Sequence, residues 1–270
     1  MNKFEAAFLG VTGSCPYNSG KRKKYGSNTL CVAVRAGDET FIFDTGSGVC
    51  GFGSLDEYQN DHVRIFYSHS HLDHMCSLLF FPYLFNPEKK LSFYGSGRDK
   101  TDLKSVIRDI FSSELSPVGL DEFKAVMDFN TISSGDIIEL QSGVTVRVYG
   151  LSHPGGALGY RVEYDGKAYC HLTDIELADH KDDAGLLEFM HGADLLIMDS
   201  FFDDGGIIPG WGHSSWLEAA EWAKRADAKK LGLFHYSYLF TDEDIDLIEQ
   251  QAKKVFPGAF ATADFMRIEI

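Results

Sequence analysis

Apolar and polar positions alternate along this chain in short blocks, and strand-length blocks outnumber helix-length ones. The run at 4–9 predicts a strand, followed by a glycine- and lysine-rich loop around 13–26. Positions 29–34 and 40–43 predict a hairpin turning at Ala36-Gly37-Asp38. Positions 63–67 and 91–94 read as buried strands. Between them, 75–85 is apolar all round and reads as a buried helix. Leu103, Val106, Ile107 and Ile110 recur at helical spacing, so 101–111 is expected to be an amphipathic helix with Thr101 as N-cap. The segment 112–136 carries no clear period and is expected to be a loop or a lid.

The second half alternates more regularly. Strands are expected at 144–150, 158–164 and 167–172, with Asp165-Gly166 turning a hairpin between the last two. A short helix at 186–190 precedes a buried strand at 194–198. A helix at 214–226, a strand at 230–235, a helix at 242–255 closed by Pro257-Gly258, and a last strand at 260–270 complete the chain. Strands lead each half and helices follow. That order predicts two packed sheets flanked by helices, not one doubly wound sheet. No linker divides the 270 residues, so residues 1–270 are expected to form a single domain.

Composition narrows the function classes. With 44% hydrophobic and 24% charged residues the chain is an ordinary globular sequence. No apolar run approaches the roughly 20 residues of a membrane span, and the first residues hold no signal-peptide stretch, so a cytoplasmic protein without membrane contact is expected. Twenty-five basic against 40 acidic residues give a net charge of −15. A surface this acidic repels long nucleic acid but admits a small anion where cations supply positive charge. The five cysteines are odd in number and form no Cys-x-x-Cys pair, so neither a disulfide framework nor a zinc ribbon is expected.

The chemistry concentrates in histidines. Three fall within six residues, His69-Ser70-His71-Leu72-Asp73-His74, directly after the strand at 63–67. Imidazole nitrogen and carboxylate oxygen suit Zn²⁺, Mn²⁺ or Fe²⁺, and four such groups in six residues can start two adjacent sites. His153, Asp174 and His235 each stand just past a further expected strand, where loop residues converge on one edge. His62, His171, His180 and His191 fit no part of this pattern.

This arrangement resembles the metallo-β-lactamase superfamily, whose motif is HxHxDH followed by a His, an Asp and a His at strand ends. The resemblance runs from Asp44-Thr45-Gly46 to His235. It implies a four-layer αββα sandwich of two mixed β-sheets flanked by helices, with a binuclear site at one edge. His69, His71 and His153 would hold one metal. Asp73, His74 and His235 would hold the other, and Asp174 would bridge them. Two divalent ions are thus implied, zinc first, with manganese or iron as alternatives. Asp44 matches a structural turn.

A second segment, Trp211-Gly212-His213-Ser214-Ser215, resembles the His-Ser-Thr stretch of the superfamily's phosphodiesterase branch. That branch includes tRNase Z, the cyclic phosphodiesterase of phosphonate catabolism and cyclic-nucleotide phosphodiesterases. It implies three catalytic residues: Asp73 to orient or deprotonate the nucleophile, His213 to protonate the leaving group, and Asp199 to orient His213. The stretches Gly13-Ser14-Cys15-Pro16 and 25–29 resemble that branch's first loop, and Lys21-Arg22-Lys23-Lys24 is a candidate guide for an anion. Phe80, Tyr83, Phe85 and Tyr236 are candidates to stack a base.

The segment 112–136 carries Glu114, Asp121, Glu122, Asp128 and Asp136 against one lysine, Lys124. That is a poor grip for tRNA, because phosphate contacts need Lys and Arg. The expected substrate is therefore a small, cyclic phosphodiester or nucleotide, and the resembling branch implies a homodimer. The alternatives are a tRNA 3′-end processing endonuclease, a thioester or lactone hydrolase, a catalytically silent metal-binding protein, and a redox di-iron site.

Overall fold

The structure, a computed structural model, describes residues 3–97, 102–112 and 114–270. Three strands lead: β1 (Phe4–Gly10), β2 (Cys31–Ala36) and β3 (Glu39–Phe43). They are followed by β4 (His62–Phe66), the single turn α1 (Leu72–Met75), β5 (Lys90–Gly95), α2 (Leu103–Ile110) and β6 (Val126–Thr131). The second half comprises β7 (Ile137–Glu139), β8 (Thr145–Leu151), β9 (Ala157–Tyr164), β10 (Lys167–Leu172), α3 (Ala184–Met190) and β11 (Leu195–Asp199). It ends with α4 (Trp216–Arg225), β12 (Leu231–Phe234), α5 (Asp242–Val255), β13 (Ala259–Ala261) and β14 (Arg267–Glu269).

Two seven-stranded sheets result, in the orders β14-β1-β2-β3-β4-β5-β6 and β13-β12-β11-β10-β9-β8-β7. Each mixes parallel and antiparallel pairs. The main core lies between them, where Phe8, Phe43 and Phe66 of the first sheet meet Tyr160, Tyr169 and Phe234 of the second. A second core lies on the outer side of the first sheet, where Leu9, Ile42 and Ile65 pack with Val49, Phe52 and Phe81. On the outer side of the second sheet α4 and α5 bury Trp222, Ala223, Ile245 and Ile248. This is the expected layered sandwich, apolar on both faces of each sheet. Among the described residues no helix is long and apolar enough to cross a membrane.

Strand direction places the functional edge. β3, β4 and β5 run parallel, as do β10, β11 and β12. β8 opposes β9, which opposes β10, so β8 points with β10. The carboxyl ends of these strands, and the loops that follow them, therefore gather at one edge of each sheet.

Three expectations are corrected. The helix at 75–85 is instead α1 followed by two 3-10 turns, Leu78–Phe80 and Pro82–Phe85. Pro82 lacks an N–H and excludes Phe81 from the helical region, and Phe81 accordingly sits at ψ 121°. The last strand is two: β13 belongs to the second sheet and β14 to the first. At Phe265, with φ +64°, the chain crosses between sheets, donating its N–H to Phe8 O. The segment 112–136 is not a lid: Leu120, Phe123 and Ala125 are buried and β6 pairs along β5. Thr101 lies outside the described residues; Asp102 caps α2 by accepting from Ser105 N at 2.8 Å.

Two of the four basic side chains at 21–24 are tied down, and those of Lys21 and Lys23 are exposed. Arg22 is buried and donates to Ser237 O (3.2 Å), and Lys24 Nζ bonds Tyr25 Oη at 2.9 Å and pairs with Asp246. The N–H groups of Lys23 and Lys24 donate to Asp242 at the start of α5. A few residues on, Asp264 accepts from Ser27 N and Asn28 N, both at 3.0 Å. Burial pushes the Asp264 carboxyl up to about 6, against those hydrogen bonds and nearby Arg22, which lower it. Its ordinary value is near 4, so the native state loses stability as pH rises through 6. Asp264→Asn keeps an acceptor without the charge. Its stability relative to the parent should therefore rise by about 3 kcal/mol between pH 4 and pH 7. Parallel denaturant titrations across that range test this; a pH-independent difference would refute it.

Candidate metal centre

The parallel strand ends deliver the histidines and aspartates to one place. His69 and His71 follow β4, His153 follows β8, Asp174 follows β10, Asp199 ends β11 and His235 follows β12. Asp73 and His74 come from α1, one turn beyond His71. His69, His71 and His153 form a group whose ligand atoms all lie within 4.8 Å of one another, and Asp73, His74 and His235 form a second. Asp174 completes a third with His69 and His74. Its Oδ1 lies 3.2 Å from His235 Nε2, 3.7 Å from His153 Nε2 and 4.0 Å from His69 Nε2; its Oδ2 lies 3.2 Å from His74 Nε2.

Backbone geometry forces these approaches. Asp44, Asp174 and His235 all adopt left-handed conformations, with φ of 60°, 58° and 58°. Such φ values are uncommon for residues other than glycine and cluster at functional sites. Packing is equally tight. A Cβ on Gly13 would stand 2.5 Å from the His235 ring, so only glycine lets the first loop pass. Ser14 N then donates to Asp73 Oδ2 at 2.9 Å.

Three histidines of the cluster have their outer nitrogen occupied, whereas His235 Nδ1 is buried with no hydrogen-bond partner. His74 Nδ1 bonds Asp44 Oδ2 (2.8 Å), His69 Nδ1 meets Ser68 Oγ (3.1 Å), and His153 Nδ1 donates to Gly212 O (2.8 Å). This turns Nε2 of each toward the centre, the arrangement by which outer hydrogen bonds orient metal-binding imidazoles. Nε2 of His69, His74 and His235 is buried with no hydrogen-bond partner. Buried polar atoms are rarely left so. Orphaned imidazole nitrogens facing carboxylate oxygens are the donor set that divalent transition ions take, and the residues fit such ions.

The charges strongly perturb one another. Burial alone would raise the Asp73 and Asp174 carboxyls, yet His74 and His235 hold both well below the usual range. Burial disfavours charge on His235, but Asp174, Asp73 and Asp199 push it up to about 9. His69, buried beside His74, is held well below its ordinary value.

His213 sits beside this cluster with its ring stacked 4.9 Å from His235 and 4.5 Å from Phe201. Its Nδ1 lies 2.8 Å from Oδ2 of the fully buried Asp199, which leaves Nε2 on the opposite side of the ring. Asp199 is itself held by the N–H groups of Asp174, Phe201 and Ser214. The aspartate therefore reaches the histidine despite its short side chain. Ser214 does not cap α4. Its Oγ donates to Ile175 O (2.6 Å) and accepts from Leu177 N, while Ser215 caps the helix and Glu218 completes the box.

A cavity of about 380 Å³ opens beside His69 and His71, walled by Ser96, Gly97, Pro154 and Gly155. A larger hollow, between Arg147, Arg161 and α3, contains none of the cluster residues. Of the aromatic candidates, Tyr83 and Tyr236 are buried in the core and cannot stack a base; Phe80 and Phe85 are exposed. Three groups about the site escaped the sequence reading. Ser68 bridges Asp44, His69 and His74. His180 accepts from Ser152 N, and Glu176 accepts from Gly210 N and Gly212 N. All are single polar residues beside motifs, with no pattern of their own.

A family model described as beta-lactamase superfamily domain matches residues 22–236. A ribonuclease Z from Archaeoglobus fulgidus is 25% identical, the alignment covering 99% of this chain and 98% of that one. Among solved structures, the short form of human tRNase Z superposes with a TM-score of 0.68 at 23% identity, covering 98% of each chain. A diphosphatase from the PhnP family gives a TM-score of 0.70 at 18% identity, covering 99% of this chain and 97% of that one.

Proposed function

The chain belongs to the beta-lactamase superfamily, and from that membership we propose that it is a metal-dependent phosphodiester hydrolase. In this proposal His69, His71 and His153 would hold one divalent ion and Asp73, His74 and His235 another, with Asp174 shared between the two groups; zinc is the first choice. Bound ions supply positive charge to the phosphate and acidify water enough for it to attack at neutral pH. The chain's own groups do the rest. Asp73 directs the attacking water and can take its proton. Asp199 accepts from Nδ1–H of His213, and with both ring nitrogens protonated Nε2 gives its proton to the departing oxygen, leaving the neutral Nδ1–H ring held on Asp199.

The His213–Asp199 pair carries this reading. A thioester expels a thiolate, which leaves without a proton, whereas an alkoxide leaving phosphorus needs one; the substrate panel below separates a lactone, whose leaving group is also an alkoxide. The 2.8 Å contact to a fully buried carboxylate supports a histidine held for that purpose.

For the substrate, the ribonuclease Z and tRNase Z relatives support RNA 3′-end processing above the small cyclic ester expected from charge. The small ester stands second, on one observation. The alignment to the A. fulgidus ribonuclease Z runs over 324 positions, so that protein carries insertions absent from these 270 residues. The net charge of −15 agrees with a chain that lacks a basic grip.

The test is a substrate panel after reconstitution with Zn²⁺, Mn²⁺ or Fe²⁺. It comprises a precursor tRNA, 2′,3′- and 3′,5′-cyclic nucleotides, bis-p-nitrophenyl phosphate, a lactone and a thioester. Turnover of phosphodiesters alone is expected. Hydrolysis confined to the lactone or thioester would overturn the proposal. The ratio of precursor tRNA to cyclic nucleotide turnover separates the two substrate readings.

A further inference from the structure

Glu176 lies two residues past Asp174 and is buried, yet no lysine or arginine pairs with it among the described residues. Its carboxylate instead accepts three hydrogen bonds from backbone: Gly210 N to both oxygens at 2.9 Å and Gly212 N at 3.0 Å. Its own N–H donates to Ser152 O (2.9 Å), adjoining His153. A buried carboxylate satisfied only by amides is a costly way to close a loop unless the loop must be held in one position.

What the loop does follows from its last residues. Gly212 O accepts from His153 Nδ1, and the next residue is His213. Gly212 itself offers no side-chain anchor. It adopts φ +78°, and a Cβ there would stand 2.3 Å from His153 Nδ1. The glycines at 205, 206, 210 and 212 leave the segment little intrinsic stiffness. The anchor must come from outside, and Glu176 provides it.

We propose that Glu176 is a positioning residue: by clamping Gly210 and Gly212 it aims His213 at the leaving group and fixes the carbonyl that orients His153 for its metal. The part concerning His213 rests on the phosphodiester reading; the clamp and the orientation of His153 do not. The carboxylate acts on two functional imidazoles through one residue, Gly212, without touching substrate.

The experiment compares Glu176→Ala, Glu176→Gln and His213→Ala in the full chain. Glu176→Gln retains one oxygen able to accept both N–H groups, so it should rescue in part and serves if the alanine variant does not fold. Amide hydrogen exchange at Gly210 and Gly212 should accelerate in Glu176→Ala, and Zn²⁺ affinity should weaken by about 10–100-fold, as for other partners of ligand histidines. Turnover of a 2′,3′-cyclic nucleotide or short RNA, whose leaving group is an alkoxide, should fall by about 10–100-fold. Turnover of bis-p-nitrophenyl phosphate, whose nitrophenolate leaves unprotonated, should fall by no more than about 3-fold beyond any loss of metal. Unchanged exchange at Gly210 and Gly212, or equal losses on both substrate types at saturating zinc, would overturn the assignment. If His213→Ala itself shows no dependence on leaving group, the phosphodiester reading fails instead, and exchange and zinc affinity still decide the role of Glu176.

Discussion

Asp174→Asn should leave a folded chain that holds less than half the divalent metal of the parent and turns phosphodiesters over about 10⁴-fold more slowly, the equivalent of 5–6 kcal/mol. The size of the effect follows from position. Asp174 is buried, and its two oxygens face four imidazoles: His69, His153 and His235 near Oδ1, His74 near Oδ2. No other carboxylate of the cluster reaches both ligand groups; Asp73 Oδ2 lies near His74 and His235 alone. An amide in its place keeps the shape and the contact with Thr173 but removes the negative charge. One of its two ends also becomes a donor facing imidazole nitrogens that must accept a metal. The fold should survive, because the surrounding strands are closed by backbone pairing and by the core between the sheets. Metal analysis beside thermal unfolding checks this. Full metal occupancy in the variant would remove Asp174 from the bridging role and with it the two-ion proposal.

Part of this was legible in sequence because strand ends and motifs are local. A strand of alternating or continuous apolar residues announces itself, and a histidine one to three residues past it is then placed at a sheet edge. His153, Asp174 and His235 are each placed at that edge in this way. The parallel direction of β10, β11 and β12, which brings those ends together, is a property of the whole sheet and shows in no window of residues. The failures share one cause, namely tertiary packing overriding a local pattern. The apolar stretch at 75–85 looked helical, but Pro82 and the demand for Phe81 and Leu84 in the outer core break it into turns. Residues 259–270 looked like one strand, yet each half finds its partner in a different sheet. In the basic run at 21–24, a candidate guide for anions, the side chains of Arg22 and Lys24 are engaged by the Ser237 carbonyl and Asp246, while those of Lys21 and Lys23 are exposed. Glu176 and Ser68 had no signal, because a hydrogen bond to a distant backbone amide imposes no spacing.

His213→Ala should retain the parent's metal content while lowering turnover by about 10²–10⁴-fold, the range for loss of a general acid. The two halves of that expectation test different things. Nδ1 of His213 is committed to Asp199 at 2.8 Å and stands 3.8 Å from Asp174 Oδ1. The ring is therefore a neighbour of the ligand cluster, held to a carboxylate that is itself committed to three backbone N–H groups. A rival arrangement exists in the same cluster. Asp174, Asp199, His213 and His235 also lie close enough to hold an ion. If an ion sat there, His213 would be a ligand, and alanine would lose metal and activity together. Asp199→Asn separates the cases further. An amide opposite Nδ1 lacks the negative charge that balances the doubly protonated ring donating from Nε2, so Asp199→Asn should cost turnover with metal retained. Parallel loss of metal in both variants would assign the pair to binding. Metal retained in both, with slower turnover, would assign it to the proton on the leaving group.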